Sequence, residues 1–259
     1  TLKDYHREKP LTREEIYSIA NKLLEFQGML EKQDKQFVFL IGPNKNTIYP
    51  EFMPFPSKNP KILSNYENLT AALNELDVNY IDMASILKQN KVSYQLYYKR
   101  DTHWNETAGL IAVNEIFKHL QNSSDTPLPS PPTLSRFERS VGGGYDLNVM
   151  LGIDKLYKTG YDKPITEINA NHNIASDVVW YHDSFGNLML PYLKPYVKDL
   201  HYIHYAEDPV IRSLPPLLNS TELVIFQMVE RELPHLLNFD FEVFNDNLDG
   251  IETGYQRME

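Results

Sequence analysis

Short, uninterrupted apolar runs constrain this chain more than any other feature. "FVFLIGPNK" (residues 37–45) is stopped by Gly42-Pro43, "DVVWYH" (177–182) runs straight into Asp183-Ser184, and "ELVIFQMV" (222–229) ends at a charged segment. A strand with one wet face alternates apolar and polar residues, and these do not, so they read as strands covered by helices on both faces. "VNYIDM" (78–83) and "LHYIHY" (200–205) read as further strands. Amphipathic segments lie between and around them. "LTREEIYSIANKLLEFQGMLEKQ" (11–33) opens with Thr12 at an N-cap position, "ILSNYENLTAALNEL" (62–76) carries an apolar stripe, and Asn105 caps a helix whose buried face is Leu110, Val113, Ile116, Phe117 and Leu120. This rhythm predicts an α/β fold with a central, mostly parallel sheet.

The linking segments are less regular. "SSDTPLPSPPT" (123–133) reads as a loop, "RSVGGGYDLNVMLGI" (139–153) as a glycine-rich loop, and 155–176 as irregular or an edge hairpin. "SFGNLMLPYLKPYV" (184–197) starts a helix and "VIRSLPPLLN" (210–219) makes a short one. The glycine-rich loop lacks the strand-then-helix setting that a phosphate-binding loop needs, which argues against a nucleotide site.

Length and charge narrow the function. The 259 residues suffice for one large core, and one catalytic domain spanning 1–259 is expected. A formal charge of −10, with no Lys/Arg stripe, excludes a nucleic-acid backbone as partner. It also disfavours a polyanionic substrate unless the fold hides a local basic groove. Cysteine is absent, which removes thiol catalysis, disulfides and cysteine-ligated zinc. No run approaches the ~20 apolar residues that span a bilayer. The sequence starts at Thr1 rather than methionine, so an N-terminal leader or membrane anchor is expected to have been removed.

Two polar stretches carry chemistry. "YYKRDTHWNETAG" (97–109) places Asp101 and His103 in a loop that opens a helix, and "VVWYHDSFGN" (178–187) places Ser184 where a strand hands over to a helix. Such a handover lies at the carboxyl edge of a parallel sheet, where α/β sites form. Serine becomes a nucleophile when an imidazole takes its proton and a carboxylate holds that imidazole's tautomer. Backbone N–H groups at the helix start suit an oxyanion. Bland readings stand beside this one. Ser184 alone would be a helix cap, Asp101 and His103 a polar loop pair, and His182 a core histidine. Asp101, His103, His182 and Asp183 could instead ligate zinc or iron, although their spacing matches no metal signature.

Taken in order, "FVFLIGPNKNTIYPEFMP", "YYKRDTHWNETAG" and "VVWYHDSFGN", with "YDLNVMLG", resemble the SGNH-hydrolase-like domain of the alginate O-acetyltransferase family. The resemblance runs from about residue 37 to 232. It implies a three-layer α/β/α sandwich, with Ser184 as nucleophile, His103 as base and Asp101 as orienting acid. His182 stands where the family's serine block usually has glycine. In an ordinary SGNH domain the serine strand comes first. Here the order is restored by circular permutation if the strands of 177–182, 200–205 and 222–229 precede those of 37–42 and 78–82. The asparagine donor usual in SGNH enzymes is missing after the 222–229 strand, so either Gln227 or Arg231 supplies an oxyanion donor in its place or the site uses fewer donors.

The implied reaction moves an acetyl group through an acetyl-serine to a hydroxyl of a bacterial exopolysaccharide or cell-surface glycan. Tyr49, Tyr98, Trp104, Trp180 and Tyr181 are candidate sugar-stacking faces, with one of the strand pair Trp180 and Tyr181 expected in the core. The charge favours a neutral or amino-sugar polymer. By resemblance, a membrane-bound O-acyltransferase would supply the acetyl group at the outer face of the membrane, and no cofactor is implied. The same triad would serve a carbohydrate acetylesterase, and a vestigial one would leave a polysaccharide-binding assembly subunit.

Overall fold

The computed structural model describes residues 2–123, 127–142, 145–152, 159–207 and 214–239. In chain order the described elements are α1 (Leu2–Tyr5), α2 (Arg13–Glu31), β1 (Gln36–Gly42), α3 (Lys45–Ile48), α4 (Asn65–Glu75), β2 (Tyr80–Asp82) and α5 (Met83–Asn90). They continue with α6 (Glu106–Asn122), β3 (Thr133–Val141), α7 (Asp146–Met150), β4 (Gly160–Glu167), β5 (Ala175–His182), α8 (Leu190–Leu193), β6 (Val197–His204) and β7 (Leu223–Val229).

Five strands form one sheet in the order β2-β1-β7-β5-β6, and every pair is parallel. Counted from β5, this is the order 2-1-3-4-5 of a doubly wound fold, so the predicted permutation accounts for the topology. β1, β5 and β7 are buried along nearly their whole length, as strands covered on both faces must be. Helix α2 packs with α4 and the 230–238 turns, and α6 with α8 and the 186–188 turn. Each predicted apolar residue of α6, from Leu110 to Leu120, is buried, and removing such a side chain from water is worth about 1.5–3 kcal/mol. Thr12 and Ser64 close capping boxes on α2 and α4, so local sequence fixes where both helices start.

Three segments depart from expectation. Residues 133–141 and 160–167 pair as an antiparallel ribbon apart from the main sheet, with β3 almost wholly exposed. Its exposure left no burial pattern for the sequence to reveal. The segment after Ser184 breaks into short turns at 186–188, 190–193 and 194–196, because Pro191 and Pro195 cannot continue a helix. In the predicted helix of 210–219, residues 210–213 lie outside the described residues and 215–217 form a single 3-10 turn.

Candidate active site

Strand β5 lies between β7 and β6, and the chain turns sharply two residues past its end, at Ser184. The turn is shaped by Asp183, which is 4% exposed. Its Oδ1 accepts from the Phe185 N–H at 2.8 Å and from Gln227 Nε2 at 2.9 Å, and its Oδ2 from the Val229 N–H at 2.6 Å. Burial pushes the Asp183 carboxyl above its ordinary range despite these donors and the Arg231 charge. Glycine is required on the helix that packs against the turn. A Cβ on Gly109 of α6 would lie 2.1 Å from the Leu188 carbonyl oxygen, so only glycine lets the helix approach the backbone this closely.

The second loop brings His103 and Asp101 to Ser184. His103 Nε2 lies 2.7 Å from Ser184 Oγ, and His103 Nδ1 lies 2.5 Å from Asp101 Oδ1. That carboxylate, 2% exposed, also accepts the His103 N–H at 2.8 Å and the Asp146 N–H at 3.1 Å. Burial works to raise the Asp101 carboxyl, but its hydrogen bonds from His103 and Asp146 prevail and hold it below the ordinary aspartate value. Lys45 Nζ ties the loop from beneath by donating to the carbonyls of Tyr98, Lys99 and Asp101 at 2.7, 3.0 and 3.0 Å.

Trp104 straps the two loops together. Its indole N–H donates to the Phe185 carbonyl at 2.9 Å, and its ring packs on Phe185 with centroids 5.0 Å apart. Being fully buried, it offers no face to a sugar, which corrects its expected role. Tyr181 is likewise fully buried, stacked on Phe226, and Trp180 is buried beside Tyr202. A central strand covered on both faces buries both alternating residues, so neither belongs to a binding surface. Tyr98 is nearly buried, with its hydroxyl donating to Glu106 at 2.5 Å.

Gln227 also differs from expectation. It is 1% exposed, donates to Asp183 Oδ1 and accepts the Asp183 N–H at 3.3 Å, so its amide braces the nucleophile turn rather than offering a donor to an oxyanion. Arg231 remains at the site, its guanidinium 5.4 Å above the Phe185 ring. The four-residue metal arrangement is not assembled. Asp183 faces Gln227 and Val229, while His182 stacks on Tyr202 at 3.4 Å and shares its Nδ1 hydrogen with the Asp183 carbonyl. Burial, helped by His204, pushes His182 down to about 4 against that carbonyl bond, so it sits in the core as a neutral imidazole.

A cleft of about 1050 Å³ adjoins the triad through Thr102, Lys45 and Arg231. Tyr49 lines it, as do the aromatic Phe52, Tyr94 and Tyr97 and the cations Lys91 and Lys99. No carboxylate lines it among the described residues. Sequence reasoning missed the parts played by Lys45, Asp146 and Asp183. Lys45 and Asp146 lie inside the stretches "GPNK" and "YDLNVMLG", and Asp183 stands next to Ser184, but their partners are distant in sequence.

Comparison with known proteins bears on the same residues. A family model described as "SGNH hydrolase-like domain, acetyltransferase AlgX" matches residues 3–175, a stretch that holds Asp101 and His103 and ends before Ser184. A probable alginate O-acetylase AlgJ of Pseudomonas syringae pv. tomato is 23% identical over 86% of this chain, which spans 66% of that relative's length. The solved O-acetyltransferase domain of Pseudomonas putida AlgJ superposes with a TM-score of 0.66 at 19% identity, covering 95% of this chain and 94% of that one. Bacillus cereus PatB1, solved with a sulfonyl adduct, gives a TM-score of 0.65 at 15% identity over 88% of this chain and 92% of its own. These likenesses share the fold, and the family model covers more than half of the sequence. The chain therefore belongs to the AlgX-type SGNH-hydrolase-like acetyltransferase family.

Proposed function

We propose that this chain is one catalytic domain that transfers acetyl groups to hydroxyls of a bacterial exopolysaccharide through an acetyl-Ser184 intermediate. The single observation behind this reading is the relay of Ser184 Oγ, His103 Nε2 and Nδ1, and Asp101 Oδ1, with spacings of 2.7 and 2.5 Å. The distances suit proton transfer from the attacking hydroxyl to the imidazole, with the carboxylate fixing the tautomer and facing the imidazolium that forms. Ser184 Oγ attacks the acetyl carbonyl, His103 takes its proton, and the leaving group departs with that proton. A sugar hydroxyl then attacks the acetyl-serine, again losing its proton to His103, which returns it to Ser184. We assign the oxyanion to the Ser184 N–H and the Arg231 guanidinium. The N–H groups of Asp183 and Phe185 are already committed to the bracing network.

Transfer instead of hydrolysis requires that a sugar be held beside the acetyl-enzyme. The adjoining cleft supplies room for several sugar rings, and Tyr49 and Phe52 supply ring faces. Its lining revises the substrate expected from net charge. Lys45 is spent on backbone carbonyls, Lys91 pairs with Glu51 and Arg231 with Glu232, yet the lining itself carries cations and no carboxylate among the described residues, so a carboxylate-bearing polymer fits it better than an amino-sugar one. The donor in this reading is a membrane-bound O-acyltransferase, and the setting is the periplasm or cell surface. No described helix is long and apolar enough to cross a membrane itself.

The test is p-nitrophenyl acetate turnover with and without short acidic or neutral glycans. Acetyl mass on a glycan, lost in Ser184→Ala, supports the proposal. Hydrolysis that no glycan diverts would instead identify a carbohydrate acetylesterase, and glycan affinity without turnover a binding subunit.

A further inference from the structure

The ribbon of β3 and β4 stands apart from the main sheet, yet the helix α7 that follows β3 reaches the acid–base loop. Asp146, the first residue of α7, meets all three residues of the segment 101–103. Its own N–H donates to Asp101 Oδ2 at 3.1 Å. Its carboxylate accepts the Thr102 N–H at 2.8 Å and, through the other oxygen, the Thr102 hydroxyl. That second oxygen also lies 3.7 Å from His103 Nδ1. Thr102 is thus held between the acid and the base by a residue more than forty positions away.

We propose that Asp146 is a positioning residue of the relay, and that α7, carried between β3 and β4, therefore belongs to the active site. This rests on the catalytic reading of Ser184, His103 and Asp101 given above. The physical case is one of degrees of freedom. Asp101 and His103 sit two residues apart on a loop, and the intervening peptide sets the angle between their side chains. Asp101 Oδ1 is fully occupied by His103, through the backbone N–H and Nδ1. The Asp146 N–H occupies Oδ2, so the carboxylate cannot rotate away from the imidazole without losing a half-buried hydrogen bond. The Asp146 carboxylate does the same for the Thr102 peptide. It is also a second negative group facing the side of the ring where imidazolium charge develops, with Lys45 beneath the loop to balance the pair. A bond network of this kind holds a reactive group within the narrow range of geometry that proton transfer needs.

The experiment uses p-nitrophenyl acetate as probe on the whole chain, with wild type, Asp146→Ala, Asp146→Asn, Thr102→Val and Ser184→Ala compared side by side. Asp146→Ala is expected to lower kcat by about 10- to 100-fold through misalignment. KM should stay within about twofold, because the residue acts on the chemical step rather than on binding. Asp146→Asn keeps an oxygen for the Thr102 N–H and is expected to recover much of the rate. Thr102→Val, which loses only the hydroxyl bond, should fall between wild type and Asp146→Ala. Wild-type kcat in Asp146→Ala overturns the proposal, as does an Asp146→Asn no faster than Asp146→Ala. If Asp146→Ala does not fold, wild-type kcat in both Asp146→Asn and Thr102→Val overturns it equally. The underlying catalytic reading fails in a different way, by Ser184→Ala turning over as fast as wild type.

Discussion

Two buried aspartates flank Ser184, and their environments drive them apart. Asp101 and Asp183 are 2% and 4% exposed, so burial opposes the charge of both. Asp101 is answered by the imidazole it orients and by two backbone N–H groups, and its carboxyl is held below the ordinary value. Asp183 is answered by a neutral amide and two backbone N–H groups, and burial still keeps its carboxyl raised. The difference separates two tasks. A carboxylate that faces an imidazole must be charged to stabilise the imidazolium, whereas one that shapes a turn only needs its hydrogen bonds. Residue type and burial were the same, and the partners decided the role.

The largest expected effect comes from the relay. Ser184→Ala and His103→Ala should each cost at least about 10³-fold in kcat with little change in unfolding, and Asp101→Ala somewhat less in kcat but with a stability loss as well, because it leaves the His103 and Asp146 N–H groups without their acceptor. The mirror image is expected across the nucleophile, where Asp183→Ala leaves the Gln227 amide and the Phe185 and Val229 N–H groups unpaired in the interior. A loss of about 3 kcal/mol or more in denaturant unfolding is expected, since each buried orphan costs about 1–3 kcal/mol. An Asp183→Ala that unfolds like wild type would break the division of labour.

A third buried carboxyl sharpens it. Glu230, 2% exposed, accepts from the Asn44 N–H and the Thr47 hydroxyl, and burial with the nearby Asp4 charge pushes it up to about 7. A raised carboxyl favours the folded state fully below its ordinary 4.5, and that contribution is lost as pH rises through 7. Glu230→Gln should therefore flatten stability across this window and exceed wild type at alkaline pH by about 1–3 kcal/mol. Asp101 has the opposite sign, since a lowered carboxyl stabilises above its ordinary 3.8 and loses that contribution as pH falls further. Asp101→Asn should flatten the acid limb of the unfolding curve. A loss of similar size, about 1–3 kcal/mol, is expected of Gly109→Ala, whose methyl would force α6 off the Leu188 carbonyl.

The sheet was legible because its central strands are buried on both faces, and an uninterrupted apolar run has few other readings. The helices announced themselves through caps, as at Thr12 and Asn105. Ser184, His103 and Asp101 stood out because each sits where a loop opens a helix or leaves a strand, but residue types alone left cap, polar-pair and metal readings open, and it was the resemblance to the family that assigned their roles. The bracing residues were hidden for a different reason. Gln227 presented as a polar residue near the site, but its partner Asp183 lies 44 residues away on a neighbouring element, and one sequence does not register such a pairing. Trp104 and Tyr181 were read as surface aromatics because residue type does not distinguish a stacking face from a core one. Strand β3 left no trace, because an exposed strand has no hydrophobic period, whereas its partner β4 falls in the 155–176 stretch that reads as irregular or an edge hairpin.

Whether Ser184 carries the acetyl group is decided by trapping the intermediate. Wild type and Ser184→Ala would be mixed with p-nitrophenyl acetate, quenched in acid within the first turnover and digested for peptide mass analysis. One added acetyl group is expected on the peptide holding Ser184 in wild type, discharged by a glycan acceptor and absent from the variant. An unmodified Ser184 peptide during active turnover, or an acetyl group that persists in Ser184→Ala, would contradict it.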